Sequence, residues 1–346
     1  MLIWVYNYHQ WKNQNNTMFE NPKIAIWDDL MKPFQILKEL FNEKWHNICS
    51  VNDYPMEKFD ALLFVEFPTL PFLINPYFIK WIKLKKKMYL LLMESELIRP
   101  SNFNKNNHKY FEKVFTWKDD IIDDKKYIKI YFPQNIKNQF NFKKWNRKLC
   151  TLIASHKLHD HNYELYSERI KAIRFFEKNN IDFDLYWFWW DKFSFKSSFI
   201  NLYWPLLPWF SLLKKILNKF FLKPFPSWKW SIENKNITLS KYKFAICYEN
   251  ASNISWYITE KIFDCFYAWC IPIYLGPPNI DLFIPKNTYI NKNDFITYEE
   301  LYHYISKISH LEYNNYLKNI QQFIEQDKAK LFSSENFSQI IYKNII

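Results

Sequence analysis

Glycine is all but missing. The sequence of 346 residues contains one, Gly276, where ordinary usage of about 7% gives roughly 24. It also contains 16 tryptophans. Lys, Asn, Ile, Phe and Tyr are abundant, as AT-rich coding produces. Such coding depletes tryptophan (UGG) but spares glycine (GGA, GGU), so base composition alone is excluded as the cause. Some bacteria read UGA as glycine, and another variant code reads it as tryptophan. Translation under the wrong code produces both departures together. Several tryptophans are therefore expected where the native chain has glycine. Trp45 follows the helical string FNEK and Trp269 ends IFDCFYA, both at the place of a left-handed helix-terminating glycine. Trp256 precedes a turn where close backbone approach favours glycine.

Other absences narrow the class. The five cysteines, Cys49, Cys150, Cys247, Cys265 and Cys270, are odd in number and form no CxxC. That excludes a disulfide framework and predicts reduced, mostly buried thiols of a cytoplasmic protein. No run of about 18 apolar residues occurs, so no spanning helix is expected. The opening MLIWVYNYHQWKNQNN lacks a basic segment followed by an apolar one, so no signal peptide is read. No repeat of about 20–50 residues is visible. What is present suits two domains, since domains hold about 100–200 residues: 49% of residues are hydrophobic and 21% aromatic. The net charge of +12 calls for an anionic partner such as nucleic acid, acidic lipid or phosphate. Part of it follows from AT-rich lysine codons. The lysines are dispersed and no nucleic-acid motif occurs, so no nucleic-acid partner is expected.

The pattern along the chain alternates strand and helix. Strands are expected at Lys23–Ile26, His46–Val51, Phe59–Phe67, Met88–Met93, Val114–Trp117 and Tyr127–Phe132, with helical spacing at Phe34, Leu37, Leu40 and Phe41 and over Pro76–Lys86. The polar stretch Gln134–Arg147 reads as a linker. The pattern then restarts with strands at Leu149–Ala154, Asp184–Tyr186, Tyr242–Tyr248 and Ile271–Leu275. Helices are expected at Tyr163–Lys178 and Thr259–Trp269, and the rest is helical to the C-terminus. This alternation implies parallel, doubly wound α/β sheets. Two Rossmann-like halves, 1–145 and 146–346, describe the GT-B architecture, with ligands collecting at the carboxyl ends of the strands.

Three groups of residues could carry chemistry there. Glu94-Ser95-Glu96 follows the buried strand MYLLLM. A carboxylate at such an edge can serve as general base, its pKa raised by desolvation. Without that context Glu94 and Glu96 are ordinary solvated loop acids. Tyr257-Ile258-Thr259-Glu260-Lys261 lies between a strand ending Tyr248-Glu249-Asn250 and the helix IFDCFYAW. Thr259 is the expected N-cap, and the first turn attracts phosphate, which Lys261 can neutralise. Thr-Glu is also an ordinary helix start. Arg169, on the helix after the first strand of the second half, can clamp a diphosphate through its planar fork. With Arg174 it can equally be one of two surface arginines.

Other strings invite a metal reading. Asp182-Phe183-Asp184 spells DxD, but it leads straight into a strand. His156, His159, Asp160 and His161 lack a cysteine at ligand spacing and read as a polar loop. Asp119, Asp120, Asp123 and Asp124 read as solvated. No metal is expected.

The segment YKFAICYENASNISWYITEKIFDCFYAWCIPIYLGPPNI resembles the signature block of the α-1,3/α-1,4-fucosyltransferases, glycosyltransferase family ten. ESELIRPSNFNKNNHKYFEKVFTWKDD and ELYSERIKAIRFFEKNNIDFDLY resemble further blocks of its bacterial members. The resemblance runs from about Lys23 to about Phe295. It implies a GT-B fold, GDP-L-fucose as donor, inversion at the fucose anomeric carbon and no obligatory metal or cofactor. It places the donor on Tyr257, Glu260, Lys261 and Arg169, together with Glu249, Asn250 and Thr259. The base it implies is Glu94, with Glu96 second because it stands where proline is common. The implied acceptor is a GlcNAc-containing glycan, in bacteria often a lipid-linked lipopolysaccharide chain. The family commonly has glycine at Trp187, Trp189 and Trp230 and a tryptophan at Trp117. The stretch Phe193–Trp228, with LLKKILNKFFLKPF, departs from a compact member. It suits peripheral contact with an anionic inner membrane surface or packing on the donor domain. Another nucleotide sugar remains the alternative donor, and nucleic-acid binding the alternative class.

Overall fold

The computed structural model describes residues 1–7, 17–20, 31–49, 58–68, 76–136, 146–192 and 224–346. The strand expected at Lys23–Ile26, the core of the expected linker and all but the last two residues of the basic apolar stretch LLKKILNKFFLKPF lie outside these residues. Two compact units result, one of 1–136, 255–257 and 326–346, the other of 137–254 and 258–325.

The first unit holds a parallel sheet, six-stranded among the described residues: β1 (Leu2–Asn7), β2 (Asn47–Cys49), β3 (Ala61–Val65), β4 (Lys87–Leu92), β5 (Lys113–Thr116) and β6 (Tyr127–Lys129). Their order is β2-β1-β3-β4-β5-β6. β3 is buried at every residue, as a continuous apolar run requires when both faces are covered. β1 was not expected from the sequence, yet it pairs with both β2 and β3. The division at 145/146 also needs correcting at the C-terminus. The helix Ser334–Ile345 packs on the helix Lys32–Glu43, with Phe337, Ile341 and Ile345 in the same core as Phe34, Leu37 and Phe41.

The second unit repeats the plan with β7 (Lys148–Ile153), β8 (Phe183–Tyr186), β9 (Tyr242–Tyr248), β10 (Ile271–Leu275) and β11 (Ile290–Asn291), all parallel, in the order β11-β10-β9-β7-β8. Counted from its first strand, the first sheet reads 2-1-3-4-5-6 and the second 2-1-3-4-5, doubly wound orders that reverse between the first and third strands. Those switch points are β1/β3 and β7/β9. All five cysteines are buried. Among the described residues no helix is long and apolar enough to cross a membrane.

The backbone singles out six tryptophans. Trp45, Trp187, Trp189, Trp230, Trp256 and Trp269 all have positive φ, between 55° and 104°, and Trp117 does not. Trp45 and Trp269 close Schellman motifs. Trp45 N–H bonds Asn42 O and His46 N–H bonds Phe41 O; Trp269 N–H bonds Phe266 O and Cys270 N–H bonds Cys265 O. Asn180 closes the same motif after the helix Tyr166–Lys178, and asparagine tolerates that conformation.

Candidate active site

In the second unit the β7/β9 switch point carries a charged cluster. Glu249, the first residue after β9, is fully buried. Its Oε1 accepts from Thr259 N–H (2.9 Å) and Tyr274 OH (3.0 Å), and its Oε2 from Thr259 Oγ1 (2.7 Å) and Lys261 Nζ (3.0 Å). Lys261 also donates to Thr259 Oγ1 at 2.9 Å and lies 3.7 Å from Glu260. Burial works against the Lys261 charge, but Glu249 and Glu260 outweigh it and raise its pKa. Burial likewise opposes the Glu260 carboxylate, and the Lys261 and Lys235 ammoniums more than compensate, leaving its pKa low.

Arg169 reaches this cluster from the buried side of the helix Tyr166–Lys178. Its Nη2 donates to Tyr248 O (2.7 Å), Glu249 O (2.8 Å) and Asn250 Oδ1 (3.1 Å). Nε and Nη1 make no hydrogen bond among the described residues. Arg169, Lys261, Lys235 and Asp264 line a recess together with the ends of β7 and β9.

Arg169, Glu249, Asn250, Thr259, Glu260 and Lys261 are thus brought together. Two expectations change. Thr259 sits at the N-cap position of the helix Glu260–Tyr267, but its hydroxyl makes no cap bond; it donates to Glu249 instead. Tyr257 belongs to the first unit, its ring 4.9 Å from Trp117 and 5.7 Å from Phe132. Sequence reasoning missed Lys235 and Asp264, an ion pair beside Lys261, and Tyr274. It also missed the role of Gly276: a Cβ there would stand 2.7 Å from Tyr274 Oη and 2.9 Å from Glu249 Cγ.

In the first unit Glu94 and Glu96 both follow β4, partly exposed. Glu96 is held by Lys118 at 2.7 Å. Glu94 is fixed through its backbone: its N–H donates to Glu66 Oε1 at 3.0 Å, and its carbonyl accepts from Asn102 Nδ2 at 3.2 Å. The β1/β3 switch point is thus marked by Glu66, which the sequence had placed inside a strand.

Most side chains in the strings with metal-like spacing make contacts within the protein. Asp184 is buried and takes Lys148 Nζ at 2.7 Å and Tyr242 OH at 2.6 Å. Asp182 accepts from Leu149 N–H. His156 stacks on Trp190 with ring centroids 4.8 Å apart, and burial lowers its pKa. Asp123 accepts three turn amides, from Lys125, Lys126 and Tyr127, and Asp119 pairs with Lys129. Among the described residues no three acids, histidines or cysteines are grouped to hold a metal.

Residues 210–339 match the family model described as glycosyltransferase family 10 (fucosyltransferase), C-terminal. An alpha-(1,3)-fucosyltransferase of Helicobacter pylori is 33% identical over 122 residues, 34% of this chain and 25% of that protein. The human 3-galactosyl-N-acetylglucosaminide 4-alpha-L-fucosyltransferase is 35% identical over 86 residues, 23% of this chain and 24% of that protein. The chain thus spans about a quarter of the length of these curated relatives. Among solved structures, an alpha1,3-fucosyltransferase superposes with a TM-score of 0.53 at 14% identity, over 99% of this chain and 89% of that one. A DNA-modifying beta-glucosyltransferase gives 0.55 at 13%, over 100% and 99%. At such identities the likeness is one of fold, and the fold is GT-B. Over residues 210–339 the chain is thus similar to the C-terminal part of glycosyltransferase family 10.

Proposed function

We propose that the protein is an inverting fucosyltransferase. It moves L-fucose from GDP-L-fucose to a hydroxyl of a GlcNAc-containing glycan, in α-1,3 or α-1,4 linkage. The observation that carries this reading is the Arg169–Glu249–Thr259–Lys261 cluster at the β7/β9 switch point, most of it inside the family-matched segment. The names of the curated relatives support the choice of sugar and linkage.

In this mechanism Arg169, through Nε and Nη1, and Lys261 take the donor diphosphate. Glu260 accepts hydrogen bonds from donor hydroxyls. Glu249, Asn250 and Thr259 hold the cations in place, and Tyr257 supports the approach to the helix. Glu94 accepts the acceptor hydroxyl proton as the oxygen attacks the anomeric carbon from the face opposite the leaving group. The bond to the diphosphate breaks, GDP leaves, and the fixed cations stabilise the charge that develops on it. These cations make a metal or other cofactor unnecessary. A lipid-linked acceptor such as a lipopolysaccharide precursor, met at an anionic membrane face, suits the +12 charge.

The test is a donor screen with N-acetyllactosamine acceptors, scoring GDP-fucose hydrolysis and transfer. Fucosylated product with inverted anomeric configuration supports the reading. Transfer from a different nucleotide sugar, with none from GDP-fucose, sinks it in favour of another GT-B activity.

A further inference from the structure

We infer that Glu66 is the positioning residue for Glu94, holding the proposed base in place through hydrogen bonds to its backbone and to Asn102. The inference rests on the reading of Glu94 given above. Glu66 is the first residue after β3, is buried to 1% exposure and has φ 68°. Left-handed backbone at a buried glutamate is strained and persists where the surroundings require it. Its Oε1 accepts the amides of both Met93 and Glu94 at 3.0 Å, and its Oε2 takes Asn102 Nδ2. Asn102 Nδ2 also holds the Glu94 carbonyl, so the pair grips Glu94 on both sides of its own backbone. Asn102 is fixed in turn: its Oδ1 accepts Phe67 N–H at 2.9 Å, and its carbonyl meets His108 Nε2 at 2.6 Å.

The charged and titratable groups about this site are Glu94 after β4, Arg99, whose Nη2 donates to Phe67 O, and His108 behind Asn102. Burial, with the Glu94 charge adding to it, pushes the Glu66 pKa up to about 8. At neutral pH the raised pKa favours the protonated form of Glu66.

The experiment compares Glu66→Gln, Glu66→Ala and Glu94→Gln by kcat against pH, GDP affinity and melting temperature. Glu66→Gln, which keeps a neutral acceptor for the two amides, should hold kcat at pH 7 within about tenfold. It should also lose an ionisation near pH 8 that the parent shows. Glu66→Ala should drop kcat about a hundredfold, the scale of a misplaced group, without moving GDP affinity. An unchanged pH profile in Glu66→Gln, or parental kcat in Glu66→Ala, overturns the inference. Parental kcat in Glu94→Gln overturns the base assignment itself, and Glu66→Gln guards against a Glu66→Ala variant that fails to fold.

A separate observation carries a second inference. The geometry points to glycine, not tryptophan, as the native residue at 45, 187, 189, 230, 256 and 269. The sequence picked out these six from composition, helix ends and family pattern, and the backbone places every one at positive φ. That region disfavours any residue with a Cβ. Packing does not account for the indoles of Trp45 and Trp230, which are 95% and 66% exposed. Tryptophans with built surroundings differ. Trp117, Trp190 and Trp228 each donate from Nε1 to a carbonyl, of Met93, Ala154 and Trp187, and none has positive φ. The gene should read UGA at the six codons and UGG at 117, 190 and 228. UGG at 45 and 269 overturns the inference. In the protein, Trp45→Gly should raise the melting temperature by about 2–4 °C while Trp117→Gly lowers it. A lowered value for Trp45→Gly counts against glycine there.

Discussion

Glu66 and Glu249 occupy the same place in the two sheets. Each is the first residue after the third strand of its doubly wound sheet, and each is buried at the switch point. Each N–H donates at 2.8 Å to the neighbouring strand, Glu66 to Leu91 O and Glu249 to Leu275 O. Each carboxyl group accepts a backbone amide of the segment that bears the proposed chemistry, Glu94 or Thr259. They differ in charge compensation: Glu249 has Lys261 at 3.0 Å, whereas the partners of Glu66 are amides.

That difference has a signature in stability. The folded pKa of Glu66, about 8, lies above the unfolded value of about 4.3. The folded state therefore holds a proton that the unfolded state has lost across this window. The Glu66 contribution is fully present below about pH 4.3, falls as pH rises, and is gone above about pH 8. Melting temperatures of the parent minus those of Glu66→Gln, taken from pH 5 to 9, should decline and then level off. A flat difference would remove the raised pKa from the account.

Glu94→Gln should lower kcat at least about a hundredfold, the scale of general-base losses, with GDP affinity retained. Glu96→Gln should have a smaller effect, because Glu96 already spends its charge on Lys118. If Glu96→Gln proves the inactive variant, the two roles exchange.

Lys261→Ala and Arg169→Ala should each weaken GDP binding about tenfold or more, since each removes a cation proposed to make a charge-assisted contact to the diphosphate. Lys261→Ala carries an added cost: Glu249 loses its cation while buried, so the melting temperature should fall as well. Calorimetry with unchanged GDP affinity in both variants would take the diphosphate out of this recess. Turnover should survive EDTA, because fixed cations stand where a metal would. Loss that Mn²⁺ restores would return the DxD at Asp182 and Asp184 to consideration.

What the sequence could disclose follows from local chemistry. The YITEK string lies at a strand–loop–helix junction with its charges adjacent, so Glu249, Glu260 and Lys261 were readable. β9 and β10 matched their apolar runs because buried parallel strands leave little polar residue to blur the ends. β1 was overlooked because LIWVYN runs into a polar segment and reads as a chain end. The return of Ser334–Ile345 to the first unit is a tertiary choice that helical spacing cannot specify. Glu66 was absorbed into ALLFVEF, where neighbours on both sides are apolar. One acid inside such a run was the available signal, since a lone carboxylate is costly to bury without partners.

The single glycine the sequence retains tests the proposed donor site from its packing. Gly276 follows β10, and a Cβ there would lie 2.7 Å from Tyr274 Oη, 2.9 Å from Tyr274 Cε1 and 2.9 Å from Glu249 Cγ. Carbon atoms do not approach so closely, so Gly276→Ala must displace Tyr274, Glu249 or both. Neither is the loose end of a surface chain. Tyr274 is 1% exposed and Glu249 is held by four donors. The expected loss is about 1–3 kcal/mol of stability, the usual cost of overpacking, together with weaker GDP binding as Lys261 loses its anchor. Adding Tyr274→Phe removes the hydroxyl contact but leaves Glu249 Cγ and Tyr274 Cε1 in the way, so it should recover only part of the loss. Melting curves and GDP calorimetry on both variants decide the matter. If Gly276→Ala melts and binds like the parent, Glu249 is not the brace on which Lys261 depends.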